Sequence, residues 1–210
     1  MIFALEIPDL QGPVAFPGQF VNALMGPQIK NYAGQAMLTS FVRFVEAARA
    51  QYRAGQAAAT TFSGSQNLYG FFDASSAFEA CINYMHRAIR CMEVIRKKPE
   101  VAEVRESLFV ERPPFMVGAV INPIRLVRDA VQHSYERVFR GDVSEGMPFM
   151  LVLAGTELPT PAADNSAQTT KTWDRVEIGP FAVRFIDLSS WLDEMARAAE
   201  SIVNYRSDGR

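Results

Sequence analysis

The sequence predicts a mainly α-helical domain with a small β insertion before its C-terminal helix. Three observations indicate this fold. Apolar side chains recur at helical spacing in three long segments within the first two thirds of the chain. The 210 residues are 49% hydrophobic, which is enough for one sizeable core. After residue 147 the helical period gives way to short β-like runs separated by turn residues. We therefore expect one domain over residues 1–210, with a hairpin or three-stranded insertion at about residues 147–187.

The N-terminal third combines weak and strong structural signals. Residues 2–7 are typical of a short strand or an extended arm, and the Pro- and Gly-rich residues 8–27 oppose a long regular element. From Gln35 to Arg53, apolar residues at helical spacing predict an amphipathic helix. Residues 54–70 are rich in Gly, Ala, Ser and Thr, and we expect them to form a loop.

The next predicted helix has the strongest signals in the chain. Ser76 and Glu79 form a capping-box pattern, and the sequence Lys97-Lys98-Pro99 marks the helix end. One side of this helix is apolar. The other side is polar, with His86 at its margin, and carries Glu79, Asn83, Arg87, Arg90, Glu93 and Lys97. Residues 101–109 predict a further short helix.

A helix predicted from Ile121 to Arg140, the motif helix, is central to the functional interpretation. Asn122 is expected to cap it, and Pro123 to lie in its first turn, where a missing N–H is tolerated. Its apolar stripe comprises Ile124, Val127, Ala130, Val131, Tyr135 and Val138. Its polar face carries Arg125, Arg128, Asp129, Gln132, His133, Glu136, Arg137 and Arg140. Four of these, Arg125, Asp129, His133 and Arg137, follow each other at i,i+4 spacing, which predicts a ladder of interacting side chains.

The segment Arg128-Asp-Ala-Val-Gln-His133, followed by Ser-Tyr-Glu136-Arg137, resembles the Arg-x(4–6)-His motif of the HEPN superfamily. The resemblance covers the motif helix and extends to the long helix before it. Members of that superfamily are helical bundles, and many are metal-independent endoribonucleases or ribonuclease toxins with an active site shared by two subunits. The resemblance thus implies a HEPN-like bundle, a homodimer, RNA as the substrate and an antitoxin protein as a partner.

The same resemblance assigns catalytic roles to Arg128, His133 and Asp129. The RNA 2′-hydroxyl would attack the adjacent phosphate while His133 moves a proton and Arg128 holds the phosphate. Asp129 would orient one of these two side chains, although its charge, like that of Glu136, opposes phosphate binding. Many relatives have asparagine at the position of Asp129. The expected RNA-binding residues are Arg125, Arg137, Arg140, Arg87 and Arg90.

A second interpretation needs no catalysis. The same polar face is typical of a solvated or subunit-contacting helix, in which His133 pairs with Asp129 and Arg128 with Gln132 or Glu136. The chain would then be a helical module that dimerises or binds a protein or nucleotide-like ligand.

Composition limits the other function classes. The net charge of −2 and the pI of about 5.8 give no global attraction for nucleic acid, so RNA binding would depend on a local basic patch. The sequence contains no P-loop, dinucleotide-binding glycine pattern, nucleophile elbow or zinc-site spacing, and we expect no cofactor and no metal.

Cys81 and Cys91 lie on one helix, about 15 Å apart along its axis, which predicts free thiols. Neither a signal peptide nor a transmembrane segment is recognisable, which favours a cytoplasmic protein.

The C-terminal region predicts strands followed by a helix. Residues 149–153 and 175–187 are typical of strands, with Gly179-Pro180 as a turn in the second run. The polar residues 156–172 are expected to form a mobile loop between them. Asp187 or Ser189 would cap the last helix, and the tail from Arg206 would fray.

Overall fold

The computed structural model describes residues 2–13, 29, 31–142, 145–161 and 167–205. Its helices are α1 (Tyr32–Ser65), α2 (Leu68–Ile95), α3 (Ala102–Leu108), α4 (Gly118–Gln132), α5 (Ser134–Arg140) and α6 (Phe185–Asn204). Its strands are β1 (Ile2–Leu5), β2 (Val152–Pro161), β3 (Ala167–Ile178) and β4 (Phe181–Arg184). The predicted mainly helical fold, with a small sheet before the C-terminal helix, is confirmed. Most of residues 8–27 and the tail from Arg206 lie outside the described residues.

Helices α1 and α2 form a long antiparallel hairpin. Only Gln66 and Asn67 separate them: Gln66 has a left-handed φ of 52°, and the Asn67 side chain accepts the N–H of Tyr69. The loop predicted at residues 54–70 and the helix start predicted at Ser76 are therefore wrong. Gly55, Ala59 and Gly70 of this stretch are buried in the hairpin, and a Cβ on Gly55 would come 2.9 Å from the Phe78 ring. At Gly55 the small residue therefore permits close helix packing.

The sheet is larger than the predicted insertion because it includes the N-terminus. β3 is its central strand, and β2 pairs antiparallel with it along one edge. The other edge is shared by β1, which is parallel to residues 170–173, and β4, which is antiparallel to residues 175–178. The prediction of a mobile loop at residues 156–172 is wrong for its two flanks, since residues 156–161 pair with residues 167–172. Threonines recur there, and their branched side chains favour strands.

Helices and sheet share one hydrophobic core. Phe78 of α2 packs on Phe185 of α6 with ring centroids 4.7 Å apart, and Phe62 of α1 stacks on Trp173 of β3 at 5.1 Å. Both pairs belong to a continuous cluster that includes residues from α3, α4, β2 and β4. The sheet is therefore packed on the helical hairpin, although most of it falls in one late segment of the sequence.

Several local predictions have clear outcomes. The short helix predicted at residues 101–109 is present as α3, and the Gly179-Pro180 turn joins β3 to β4. Helix α6 begins at Phe185, so neither Asp187 nor Ser189 caps it; the Asp187 carboxylate instead accepts two hydrogen bonds from Arg184. Cys81 and Cys91 are free thiols, as predicted. Within the described ranges, no helix combines the length and apolar character needed to cross a membrane.

Candidate functional site

The motif helix is two helices, with His133 at the junction. α4 begins at Gly118, after a 3₁₀ turn at Pro114–Met116, and runs to Gln132. Pro123 therefore lies inside the helix, and the predictions that Asn122 caps it and Pro123 starts it are wrong. His133 has φ −104° and ψ 12°, outside the helical region, and its N–H still bonds to Asp129 O at 3.0 Å. α5 then runs from Ser134 to Arg140, and Arg137 N bonds to His133 O at 3.1 Å.

This break divides the apolar stripe. Ile124, Val127 and Ala130 are buried as predicted, because α4 packs on α2 and on the sheet. In contrast, α5 has no buried residue. Tyr135, Val138 and Phe139 are 61%, 48% and 87% exposed, and we call these three residues the apolar α5 surface. The prediction that Tyr135 and Val138 face the core of their own chain is wrong.

Arg128 and His133 have separate partners. Arg128 Nη1 lies 2.9 Å from Asp129 Oδ1, and His133 Nδ1 lies 3.3 Å from Glu136 Oε2. The side chains of Arg128 and His133 are 28% and 57% exposed, so both reach the surface. Asp129 therefore contacts the arginine and not the histidine. The pairing of His133 with Asp129, and that of Arg128 with Gln132 or Glu136, are not observed.

The predicted ladder along the polar face does not form. Arg140 Nη2 lies 3.8 Å from Glu136 Oε2, which also accepts from His133. Arg137 turns away to donate to Asp142 O at 3.5 Å, and its guanidinium lies against Gly179 of the β3–β4 turn. Arg125 is exposed on α4. The backbone keeps its i,i+4 hydrogen bonds through this point, from His133 N to Asp129 O at 3.0 Å and from Arg137 N to His133 O at 3.1 Å. The ladder is absent because the side chains of Asp129 and His133 pair with Arg128 and Glu136 instead.

The expected RNA-binding residues of α2 lie on the helix that packs against α4. Arg87 is exposed, with its guanidinium carbon 5.9 Å from the ring centroids of Phe44 and Tyr84. Arg90 is exposed and pairs with Glu93. Basic groups at this surface are thus interspersed with carboxylates.

Sequence reasoning gave His86 no role, yet its pKa is affected by the charge of Arg128. Burial lowers the pKa of His86, and the positive charge of Arg128 lowers it further, whereas Asp129 raises it. His86 is half-buried on α2. One sequence feature indicates contact with a neighbouring helix: His86 lies at the margin between the polar and the apolar side of α2.

Within the described ranges, no group of three or more His, Cys, Asp or Glu side chains has the geometry to hold a metal ion.

A separate cavity of about 470 Å³ lies between the first half of α4 and the β4–α6 corner, and it contains none of the motif residues. It is lined by Ala119, Val120, Pro123, Ala182, Val183, Arg184, Asp187 and Trp191.

Comparison with known proteins gives no match to a protein-family model, to a curated protein or to a solved structure. The resemblance to the HEPN superfamily therefore stays a prediction that rests on the residues from Arg128 to Arg137.

Proposed function

We propose that this chain is a homodimeric, metal-independent endoribonuclease of the HEPN type. Arg128 of one subunit and His133 of the other act on the same RNA phosphate. The observation that supports this most is the accessibility of both side chains, neither of which is sealed beneath the core. Within the chain each has its own carboxylate neighbour, Asp129 for Arg128 and Glu136 for His133, and the proposal places the shared site between two subunits.

The apolar α5 surface supports the dimer. Phe139 is 87% exposed and is the most exposed aromatic side chain of the described residues. Large apolar side chains clustered on a short helix are typical of a protein contact. This surface directly follows His133 in the sequence, so a partner that covers it comes close to the histidine.

The chemistry needs only groups that the two subunits carry. A neutral His133 accepts the proton of the RNA 2′-hydroxyl as its oxygen attacks the adjacent phosphorus. Arg128 stabilises the negative charge that develops on the phosphoryl oxygens. The bond to the 5′-oxygen of the next nucleotide breaks, and this oxygen takes the proton that His133 carries, which leaves a 2′,3′-cyclic phosphate, a 5′-hydroxyl and a neutral histidine. Arg125, Arg140, Arg87 and Arg90 supply the local positive charge for the RNA backbone.

The experiment is an RNA cleavage assay with purified protein in EDTA. We expect cleavage that is lost in His133→Ala and in Arg128→Ala. The matched control is Arg112→Ala, which removes an exposed arginine outside the site and should leave cleavage unchanged. Intact RNA with the unmodified protein, or full activity in both site variants, would exclude the nuclease. Growth arrest on expression, relieved by a neighbouring gene, would test the further proposal of a toxin with an antitoxin.

A second candidate is a dimeric binding module without catalysis. It is favoured by one observation: each of the two side chains already has a carboxylate neighbour, Asp129 beside Arg128 and Glu136 beside His133. Intact RNA in the cleavage assay, together with a stable dimer, would support this module.

A further inference from the structure

The cavity of about 470 Å³ between α4, β4 and α6 takes no part in the proposed chemistry of the motif residues. Two of its lining residues, Val120 and Val183, are buried, whereas Ala119 and Ala182 are exposed. The valines therefore form an apolar floor, and the alanines belong to the rim. Small-molecule sites are typically concave, mostly apolar and about 300–1,000 Å³ in volume. This cavity has the room and the lining for such a ligand.

Trp191 gives the cavity an aromatic wall. It is half-buried and packs against the hydrophobic core, and it also lines the cavity. Its indole N–H donates a hydrogen bond to no residue in the described ranges. An aromatic side chain that is held in place by packing can contact a second ring by stacking or through its edge. Trp191 therefore favours a ligand with a planar ring.

An ion pair at the same cavity provides hydrogen-bonding groups. Arg184 Nε donates to Asp187 Oδ2 at 2.8 Å, and Arg184 Nη2 donates to Asp187 Oδ1 at 3.0 Å. The pair leaves three guanidinium N–H groups unused, and each carboxylate oxygen can accept a further hydrogen bond. The two side chains are 63% and 35% exposed, so a ligand can reach them. A ligand with a donor beside an acceptor can therefore bond to both members of the pair.

The charge around this pair opposes an anionic ligand. The charges of Arg184 and Asp187 sum to zero, and a second carboxylate, Asp174, also acts on the arginine. The hydrogen bond and charge of Asp187, and then the charge of Asp174, raise the pKa of Arg184. A neutral ligand with a polar edge is thus favoured over a phosphate or a carboxylate.

Pro123 changes the backbone on the opposite wall. Because proline has no N–H, it cannot donate to the carbonyl of Ala119, four residues earlier in α4. Both residues line the cavity. Ala119 O therefore lacks its usual helical donor, and a ligand N–H can take the place of that donor.

We propose that this cavity binds a nucleobase, either free or as part of a nucleoside. The flat base packs against Trp191, and its polar edge bonds to Arg184 and Asp187. A nucleobase combines the properties that this lining favours, because it is planar and neutral and carries neighbouring donors and acceptors on one edge. The site contains neither Arg128 nor His133, and it does not depend on the nuclease proposal.

The test is isothermal titration calorimetry of the full-length protein with adenosine, guanosine, cytidine and uridine. Ribose and benzyl alcohol are titrated in parallel, because ribose lacks the base and benzyl alcohol has a flat ring without a donor–acceptor edge. We expect at least one nucleoside to bind at a single site per chain with a Kd below about 1 mM. Neither reference compound should bind as tightly.

Two variants locate the binding in the cavity. Asp187→Ala removes the acceptors of the ion pair and should weaken the binding of that nucleoside by about tenfold. Ala119→Leu places a larger side chain at the rim and should also weaken it. The matched control is Glu200→Ala, which removes an exposed carboxylate of the same helix outside the cavity and should bind like the unmodified protein. Circular dichroism checks that each variant is folded.

Three results would overturn the proposal. No nucleoside binds with a Kd below about 1 mM, or benzyl alcohol binds more tightly than every nucleoside, which would make the cavity a purely apolar site. Alternatively, the folded Asp187→Ala and Ala119→Leu proteins bind the nucleoside as well as the unmodified protein does. The titration is independent of RNA cleavage: His133→Ala should retain nucleoside binding, and its loss there would place the ligand at the motif residues instead.

Discussion

Arg128 Nη1 lies 2.9 Å from Oδ1 of the next residue, Asp129. The guanidinium that is expected to hold a phosphate therefore already has a carboxylate partner. Both side chains are partly open to solvent, at 28% and 45% exposure. An ion pair in such a position contributes about 1 kcal/mol or less. A phosphodiester can therefore compete with Asp129 for the arginine.

The first prediction concerns this competition. Asp129→Asn keeps a hydrogen-bond acceptor beside Arg128 and removes the negative charge. We expect RNA affinity to increase by up to about fivefold, the equivalent of about 1 kcal/mol. Fluorescence anisotropy with a labelled single-stranded RNA at fixed salt measures the change. A weaker complex would mean that Asp129 positions Arg128 and does not compete with the phosphate.

The second prediction concerns His86 and pH. Its folded-state pKa is lowered, by burial first and then by Arg128 and Arg90, against the opposite effects of Asp129 and Glu93. The unfolded chain therefore binds a proton more readily. The contribution of His86 to stability is complete above pH 6.5, the ordinary histidine pKa, and is lost as pH falls below it.

Urea unfolding of the unmodified protein and of His86→Gln between pH 5 and 8 tests this. The free energy of unfolding should fall more steeply with acid in the unmodified protein. Burial raises the pKa values of Glu46, Glu79 and Glu194, and this lowers the stability as the pH rises above 4.5. Both proteins carry these glutamates, so their effect cancels in the difference between the two free energies of unfolding. Parallel curves would show that His86 has no shifted pKa.

The third prediction compares two glycines of α1. A Cβ on Gly55 would meet the Phe78 ring at 2.9 Å, whereas a Cβ on Gly64 would meet nothing within 4 Å. Gly55→Ala should destabilise the protein by about 1–3 kcal/mol through overpacking. Gly64→Ala should be neutral or stabilising by up to about 1 kcal/mol, because alanine favours the helix. Chemical denaturation measures both. Equal effects would contradict the close hairpin packing at Gly55.

The fourth prediction concerns the apolar α5 surface. Phe139→Asp should weaken dimerisation by at least about tenfold, as expected for the loss of a large apolar anchor. The control, Tyr69→Asp, changes an exposed aromatic residue of α2 and should leave the dimer intact. Sedimentation velocity over a range of concentrations distinguishes the two results. A monomeric unmodified protein, or an unaffected Phe139→Asp dimer, would contradict the proposed interface.

The sequence predicted the elements that carry their own apolar period. The helix α2 is predictable because Phe78, Ile82, Met85 and Ile89 repeat at helical spacing. The end of α1 is not, since two of its three buried residues after Ala54 are Gly55 and Ala59, which carry little apolar signal. Strand β1 could not be placed, because its partner, β3, is more than 160 residues away.

The site was predicted in composition but not in geometry. Helical spacing did not decide the side-chain partners, since Arg128 pairs with the next residue, Asp129, and His133 with Glu136, three residues further on. Arg49 was not singled out, although a signal was present: it lies four residues after Val45 and three before Tyr52, on the buried stripe of α1. A charged residue at such a position indicates a buried polar contact.

The most direct test of the nuclease proposal is complementation between two inactive variants. Arg128→Ala and His133→Ala proteins are unfolded together, refolded as a mixture and assayed for RNA cleavage in EDTA. If Arg128 of one subunit works with His133 of the other, each mixed dimer retains one intact site. Random pairing then restores about a quarter of the unmodified activity, while each variant alone stays inactive. A mixture as inactive as its components, beside an active unmodified protein, would contradict the shared site.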